Sequence, residues 1–278
     1  MQKGDIRSMK ISCTNLMVPG KNLTEKANKL RTWGYDGISV FVEYDEWNEE
    51  LAEELTTLEE KTGVVPCEFV LTGLFYGFLM DDNEKLRKKA RTMYIKTAKI
   101  CAKIGAVTEI EYQYGPQDPL PLFNPYKKMS EIEEKNFLSM YKEIVNEILG
   151  TNAYVLIENI NRYESPYLNC LSHCKEIVKK LNMPNTGILA DFFHMSIEES
   201  NLPKAIRNCG KLIKHVHLGD SNRLLPGYGY TDWEACFQAL KDISYEGYLS
   251  LECSTCGDPT VTLQESAMFL RKLMNNNN

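Results

Sequence analysis

The sequence predicts an α/β protein made of a single (β/α)8 barrel, the TIM barrel architecture. Apolar strand-like segments alternate with helix-like segments eight times between residues 9 and 274, as is typical of a parallel sheet covered on its faces. Eight such units in about 266 residues fit a closed barrel, which usually takes about 250. The alternative is an open doubly wound sheet, but no Gly-x-Gly-x-x-Gly follows the first strand and no Walker loop is present.

Four of the predicted units lie in the first half of the chain. Met9–Thr14 is the first strand, and the Val18–Gly20 turn followed by Asn22 leads into a helix that ends near Gly34. Three strands follow, paired in turn with an acidic helix, a long basic helix and a helix preceded by a Pro-rich loop. Their predicted bounds are 35–41 and 43–62, 64–70 and 81–105, and 106–112 and 129–149.

In the second half the units repeat more tightly. The predicted strands are Tyr154–Glu158, Thr186–Asp191, Leu212–His217 and Gly247–Glu252, and the predicted helices are 167–181, 196–208, 232–243 and 260–274. Residues 1–8 are expected to lie outside the barrel, as an N-terminus that is disordered or derived from an expression vector. Residues 275–278 are expected to form a tail of low complexity.

The composition excludes several classes of partner. A net charge of −6 argues against nucleic acid and anionic membranes. We expect no membrane span, since no apolar run approaches about 20 residues, and the N-terminus lacks the layout of a signal peptide. Nine scattered cysteines favour free thiols in a reducing cytoplasm, although Cys253 and Cys256 have the spacing of a redox or zinc pair. A homo-oligomer is left open.

The last four predicted strands all end in a side chain that can bind a metal. These residues are Glu158, Asp191, His217 and Glu252. In a barrel the carboxyl ends of the strands meet on one face, so the four should point to a common site. Three carboxylates crowded together repel one another unless a cation lies among them. One nitrogen with three carboxylates suits Mn²⁺, Mg²⁺ or Co²⁺ better than a structural zinc site.

Four segments near these residues resemble a known family. They are 157–164, 191–199, 215–223 and 226–233, and they are similar to the xylose-isomerase-like sugar isomerases and epimerases. Within that family the sequence most resembles ketose 3-epimerases of the tagatose and psicose type. The resemblance spans the chain from Met9 to the last helix. In its N-terminal half the usual pocket residues are not in clear form, and Thr14–Asn15 and Tyr112–Tyr114 stand where such contacts would come.

The resemblance implies a role for each candidate residue. One divalent metal ion, with Mn²⁺ expected and Co²⁺, Mg²⁺ or Zn²⁺ as alternatives, would be bound by Glu158, Asp191, His217 and Glu252. Glu158 and Glu252 would also be the catalytic acid/base pair. The oxygens of a small sugar substrate would be held by His194, Arg223 and Glu164. His215, two residues before His217 on the same strand face, is expected to pack inside the barrel.

These residue types suit proton transfer next to a carbonyl. A metal that chelates the carbonyl and a neighbouring hydroxyl acidifies the C–H between them, and two carboxylates can then exchange the proton through a cis-enediolate. We therefore expect C3 epimerisation of a ketose. The alternatives are an aldose-ketose isomerase, an inosose isomerase or dehydratase, and a non-catalytic sugar-binding barrel. The aromatic loop Phe75–Phe78 is interpreted as a substrate lid, an oligomer contact or covered core.

Overall fold

A computed structural model describes residues 9–125 and 127–276, so the predicted extension at residues 1–8 lies outside the described residues. Eight parallel strands form a closed barrel in sequence order, and β1 closes it by pairing with β8. The strands are β1 Lys10–Thr14, β2 Gly37–Glu43, β3 Val65–Thr72, β4 Val107–Ile110, β5 Tyr154–Glu158, β6 Thr186–Asp191, β7 Ile213–Leu218 and β8 Tyr248–Leu251. The predicted single-domain (β/α)8 barrel is confirmed.

The helices begin where the sequence places capping side chains. They are α1 Leu23–Thr32, α2 Glu49–Thr62, α3 Glu84–Ile104, α4 Glu131–Asn146, α5 Leu171–Leu181, α6 Phe192–Glu198, α7 Leu202–Cys209, α8 Trp233–Asp242 and α9 Pro259–Asn275. Ser130 and Glu133 form a reciprocal capping box at the start of α4. Most of the other helices begin after an Asn or Asp whose side chain accepts a hydrogen bond from a backbone N–H of the first turn.

The prediction of one helix over 196–208 is wrong, because this segment is divided between α6 and α7. Asp191 caps α6 by accepting a hydrogen bond from the His194 backbone N–H at 2.7 Å, so that helix starts directly after β6. Asn201 caps α7, and Pro203 occupies its first turn, where proline is tolerated but cannot continue a preceding helix.

Several other predicted helix bounds differ from the structure by one to six residues, the largest difference being at the start of α2. Residue 43 is the last residue of β2, and α2 starts only after Asn48, whose side chain accepts a hydrogen bond from the Leu51 backbone N–H at 3.0 Å. At the other end of the chain α9 includes Asn275, so the predicted tail began one residue early.

The apolar core lies between the strands and the helices, while the inside of the barrel is partly polar. On β7, Val216 and Leu218 belong to the apolar cluster. His215 and His217 alternate with them and therefore point into the barrel. Deeper in the barrel, the hydroxyls of Ser39 and Ser250 are 2.8 Å apart. This polar interior places charged side chains beneath the carboxyl ends of the strands.

The cysteines and the helix lengths bear on two further predictions. All nine cysteines lie in the described part of the chain and are free thiols. Cys253 is partly buried and Cys256 is exposed. Within residues 9–125 and 127–276, no helix combines the length and apolarity needed to cross a bilayer.

Candidate active site

The four residues predicted as metal ligands converge at the carboxyl end of the barrel. Their ligand atoms all lie within 4.8 Å of one another. The Nδ1 atom of His217 is 3.1 Å from Glu252 Oε2, 3.3 Å from Glu158 Oε1 and 3.9 Å from Asp191 Oδ2. Glu158, Asp191 and His217 are buried, and Glu252 is partly exposed. Four adjacent strand ends therefore present one nitrogen and three carboxylates to a common point.

These spacings fit a single divalent ion. Ligand atoms at about 2.1 Å from one ion lie roughly 3.0–3.4 Å apart when they are neighbours, and about 4.2 Å apart when they are opposite. The three distances from His217 Nδ1 lie within or between those values. One imidazole with three carboxylates is also a donor set that suits Mn²⁺ and related ions.

Burial and the close approach of several carboxylates shift pKa values at this site. Burial raises the pKa of Glu158 well above its usual value, and the charge of Glu109 adds to the shift. Burial and the neighbouring Glu252 raise the pKa of Asp191 to about 7. For His217, burial favours the neutral form, but Glu68 and Glu252 outweigh it and raise the pKa. A bound cation would stabilise the ionised carboxylates and relieve this repulsion.

His194 is held in one tautomer by Asn161. The Asn161 side-chain amide is oriented by the Tyr163 backbone N–H, which donates to its oxygen at 2.9 Å. The amide nitrogen therefore donates to His194 Nδ1 at 2.7 Å, which leaves the proton on Nε2. Burial and the nearby Arg223 lower the pKa of His194 well below its usual value. His194 thus lines the cavity as a neutral imidazole with one N–H donor.

Arg223 is held at the cavity by an unusual backbone and by two side chains. Its φ of 59° lies in the left-handed region, which is uncommon for a residue other than glycine and is frequent at functional sites. The guanidinium lies over the ring of Phe193, 4.7 Å from its centroid, and 3.4 Å from Glu164 Oε1. Glu164 also accepts a hydrogen bond from Asn161 at 2.8 Å, so it connects the supports of His194 and Arg223.

A cavity of about 340 Å³ opens above the four converging side chains. Glu158, Glu252, His194 and Arg223 line it, as do several residues that sequence reasoning did not select. The latter include Tyr76, Glu109, Glu111 and Tyr114. Glu109 and Glu111 are almost fully buried, and the Tyr76 hydroxyl contacts the carboxyl groups of both. Burial and neighbouring carboxylates raise the pKa of both glutamates well above the usual value.

A usable signal for these residues was present in the sequence. Glu109 and Glu111 are two residues apart in a predicted strand, which directs them to one face just as the spacing directs His215 and His217. Glu68 was also missed, although it lies in the middle of the apolar run 64–70. A charged residue inside a buried strand needs a partner, and such residues are candidates for function.

The residues at the other positions singled out in the N-terminal half have different roles. Of these, Tyr114 lines the cavity. Asn15 instead joins β1 to β2 through two hydrogen bonds with the Phe41 backbone, at 3.0 and 2.8 Å. Tyr112 packs against Tyr167, with ring centroids 4.8 Å apart. Within the aromatic loop, Tyr76 faces the cavity, whereas the Phe75 ring packs against Tyr44.

Comparison with known proteins gives one consistent picture. Residues 27–273 match the family model described as a xylose isomerase-like TIM barrel. The chain is 26% identical over 268 residues to 3-dehydro-D-guloside 4-epimerase of Escherichia coli K12. That alignment covers 95% of this chain and 99% of the other protein. It is 42% identical to D-psicose 3-epimerase of Enterocloster bolteae over a shorter stretch of 115 residues, 41% of this chain and 36% of that protein. These relatives are named as epimerases, which are isomerases.

Solved structures show the same barrel. The structure of 3-keto-D-glucoside 4-epimerase from E. coli superposes with a TM-score of 0.82 at 24% identity, covering 95% of this chain and 99% of that chain. A D-psicose 3-epimerase from Clostridium cellulolyticum H10, determined with D-tagatose, gives a TM-score of 0.80 at 20% identity. That match covers 96% of this chain and 100% of the other. At these identities the likeness concerns the fold.

Proposed function

This chain belongs to the xylose isomerase-like TIM barrel family, and from that premise we propose that it is a metal-dependent sugar epimerase. The expected reaction inverts C3 of a ketose, the carbon next to the ketone. One observation carries the proposal: carboxylate oxygens of Glu158 and Glu252 lie 3.3 and 3.1 Å from the same nitrogen of His217, beneath a cavity of about 340 Å³. Two carboxylates at one metal-binding point can act as a proton-transfer pair.

The metal would be held by Glu158, Asp191, His217 and Glu252, the set whose spacing fits one ion. When bound, a divalent ion supplies Lewis acidity that polarises a sugar carbonyl and acidifies the adjacent C–H. Mn²⁺ is the ion that we expect, with Co²⁺, Mg²⁺ or Zn²⁺ as alternatives, since carboxylate-rich sites with one imidazole favour the harder ions.

Glu158 and Glu252 would divide the proton transfer. One carboxylate removes the proton next to the carbonyl, and the other returns a proton to the opposite side of the resulting cis-enediolate. Glu158 ends β5 and Glu252 directly follows β8, so the pair reaches the substrate from separate walls of the barrel. This separation supports a mechanism with two acid/base groups.

His194 and Arg223 would hold the oxygens on which charge develops. The neutral His194 presents its Nε2–H to the cavity because Asn161 occupies Nδ1. Arg223 provides a fixed positive charge, which Glu164 and the Phe193 ring orient. Donors aimed at a developing oxyanion typically contribute a few kcal/mol to catalysis. The proposed substrate is therefore a small sugar with a ketone, and nine free thiols support a cytoplasmic location.

A second reaction has specific support. A relative that matches along nearly its whole length is named as a 4-epimerase of a 3-dehydro sugar. Its named carbon, C4, is also the neighbour of a ketone, at C3. The same two carboxylates could therefore act on either substrate, and the difference lies in how the sugar is placed in the cavity.

The test follows hydrogen exchange at carbon. Wild-type protein with Mn²⁺ is incubated in D₂O with D-psicose, D-fructose, D-tagatose, L-ribulose and a 3-keto-glucoside, and deuterium is located by NMR. We expect label at C3 of a ketose, together with interconversion of epimers. Glu158→Gln and Glu252→Gln should each lose interconversion by at least about 100-fold, since general acid–base catalysis typically contributes 10²–10⁴-fold.

Glu54→Gln is the matched control, because this glutamate accepts hydrogen bonds from Thr24 on the helical layer, away from the cavity. It should epimerise at the wild-type rate. Label only at C4 of the 3-keto-glucoside would select the second reaction, and label only at C1 or C2 of a ketose would indicate an aldose-ketose isomerase. Sugar binding without exchange would indicate a non-catalytic barrel, and normal interconversion by either glutamine variant would refute the acid/base pair.

A further inference from the structure

Glu68 lies beneath the four candidate metal ligands, in contact with His217, and does not line the cavity above them. We propose that it is a positioning residue, which fixes the tautomer and the ring orientation of His217 so that Nδ1 faces the metal. This inference rests on the metal dependence proposed above. It adds a side chain from β3 to the four proposed metal ligands, which come from the ends of β5 to β8.

The geometry of His217 carries the first step. Its Nε2 atom lies 3.1 and 3.0 Å from the two carboxylate oxygens of Glu68. A carboxylate can only accept hydrogen bonds when ionised, so Nε2 must carry the proton. In the neutral imidazole, the form that binds a metal, the lone pair then lies on Nδ1, which is the atom that faces Glu252, Glu158 and Asp191. One hydrogen bond thus decides which nitrogen is free to bind an ion.

The position of Glu68 in the barrel carries the second step. β3 and β7 are separated by three strands on either side of the closed barrel, so the Glu68 side chain can reach His217 only through the interior. Its exposed fraction is 0%. A buried carboxylate is costly unless charge partners and hydrogen bonds compensate it. Among the described residues, its ion-pair partners are the two histidines of β7 and no lysine or arginine.

His215 lies beside the same carboxylate. Its Nε2 atom lies 3.3 Å from Glu68 Oε2, and within the described part of the chain this nitrogen has no hydrogen bond. The two imidazole rings are nearly perpendicular, at 87°, with centroids 5.4 Å apart. The Oε2 atom of Glu68 therefore lies within 3.3 Å of the Nε2 atoms of both His215 and His217.

Chemistry connects this arrangement to the metal. A carboxylate that accepts the second N–H of a ligating histidine orients the ring and raises the basicity of the other nitrogen. Loss of such a partner typically costs 10–100-fold in metal affinity. A glutamine at this position keeps the shape and one carbonyl acceptor but removes the charge, so Glu68→Gln isolates the electrostatic contribution.

The experiment measures metal binding without turnover. Mn²⁺ is titrated into metal-free protein, and free Mn²⁺ is counted by its EPR signal. We expect Glu68→Gln to bind Mn²⁺ about 10–100-fold more weakly than wild type. Glu68→Asp, which retains the charge, should recover part of that loss. Asp36→Asn is the control, because Asp36 pairs with Arg271 and the Ile11 backbone at the opposite end of the barrel. It should lower Tm and leave Mn²⁺ affinity unchanged.

Wild-type protein provides a readout that does not depend on any variant folding. Loaded with Zn²⁺ and labelled with ¹⁵N-histidine, it should show one imidazole that is protonated at Nε2 and metal-bound at Nδ1. Protonation at Nδ1, or equal Mn²⁺ affinity of wild type and Glu68→Gln, would overturn the role of Glu68 while leaving the metal site intact. If wild type binds no divalent ion, both this inference and the proposed metal dependence are refuted.

Discussion

The Tyr76 hydroxyl has one proton to donate, and two glutamates compete for it. It contacts Oε1 of Glu109 and, at 2.6 Å, Oε1 of Glu111. Tyr76 can therefore satisfy only one of them as an acceptor, and the other contact requires a proton on a carboxyl group. The second oxygen of each glutamate is buried and has no hydrogen-bond partner among the described residues. Such groups are costly in the free protein, and sugar hydroxyls are donors that could satisfy them.

This imbalance predicts a trade between stability and function at Glu109. Glu109→Gln replaces one of the crowded carboxyl groups with an amide, which cannot ionise and supplies an N–H donor to its neighbours. We expect it to raise the free energy of unfolding of the metal-free protein by about 1 kcal/mol. We also expect kcat/KM for the sugar to fall by about 10-fold or more, because a hydroxyl loses a charged acceptor. Urea unfolding in EDTA and steady-state kinetics measure the two effects.

Glu143→Gln serves as the matched control, since Glu143 pairs with Arg91 on the partly exposed side of α4. It should change neither quantity appreciably, because exposed ion pairs contribute little. If Glu109→Gln destabilised the protein and left the kinetics unchanged, Glu109 would be a structural acceptor for Tyr76 and would have no part in binding sugar.

The loop between β7 and α8 is organised by one aspartate. Asp220 is buried and accepts four hydrogen bonds, from the backbone N–H groups of Ser221, Gly227 and Thr231 and from the Trp233 indole. Burial alone would raise the pKa of Asp220, but these four donors lower it to about 2. The loop passes close enough that a Cβ on Gly229 would lie 2.3 Å from Asp220 Oδ1. Arg223 is carried by this loop.

Asp220→Asn should loosen the loop and displace Arg223. An amide nitrogen cannot accept, so at least one N–H of the loop loses its partner. We expect a loss of about 2 kcal/mol in the free energy of unfolding at pH 7 and a higher KM for the sugar. Because the folded pKa is depressed, the stabilisation from Asp220 is fully present above the unfolded value near 4 and is lost as pH falls toward about 2.

Urea unfolding at pH 7 and pH 3 checks both the size and the sign of this effect. The difference between wild type and Asp220→Asn should shrink at pH 3. Asp242→Asn, on the exposed surface of α8, is the control and should shift stability only slightly at either pH. A difference that stayed constant or grew at low pH would contradict the assignment of charge to Asp220.

At the level of elements, the sequence predicted what local patterns determine. The bounds of β5 and β6 agree residue for residue with the prediction, because each apolar run ends in a charged residue. The helix predicted over 196–208 is wrong for a reason that the periodicity of apolar residues does not show. Asp191 was expected to bind metal, and in the structure its Oδ1 atom also caps α6 through the His194 backbone N–H. The prediction that Asp191 binds metal therefore does not reveal that its side chain also caps a helix.

The candidate site was predictable to a similar degree. The sequence predicts Glu158, Asp191, His217 and Glu252 because each is the last residue of a predicted strand, where barrel geometry requires convergence. In the structure their ligand atoms lie within 4.8 Å of one another. Glu68 lies in the middle of β3, and its contact with His217 crosses the barrel. The sequence does not show how deep a side chain lies or what faces it across the interior. Those relations follow only from the closed structure.

Metal binding should stabilise the barrel, because the four proposed ligands come from the ends of four consecutive strands. An ion that binds only the folded protein at 100 times its Kd stabilises it by about 2.7 kcal/mol. For a chain of this size that corresponds to a rise in Tm of roughly 5–10 °C. We expect this rise with Mn²⁺, its reversal by EDTA, and no rise in the double variant Asp191→Asn, His217→Ala.

Hydrogen exchange should slow more in β5 to β8, which carry the proposed ligands, than in β1 and β2, which contribute none. Equal stabilisation of wild type and the double variant would place the ion elsewhere, and uniform protection of all eight strands would mean that the ion does not act by joining this half of the barrel.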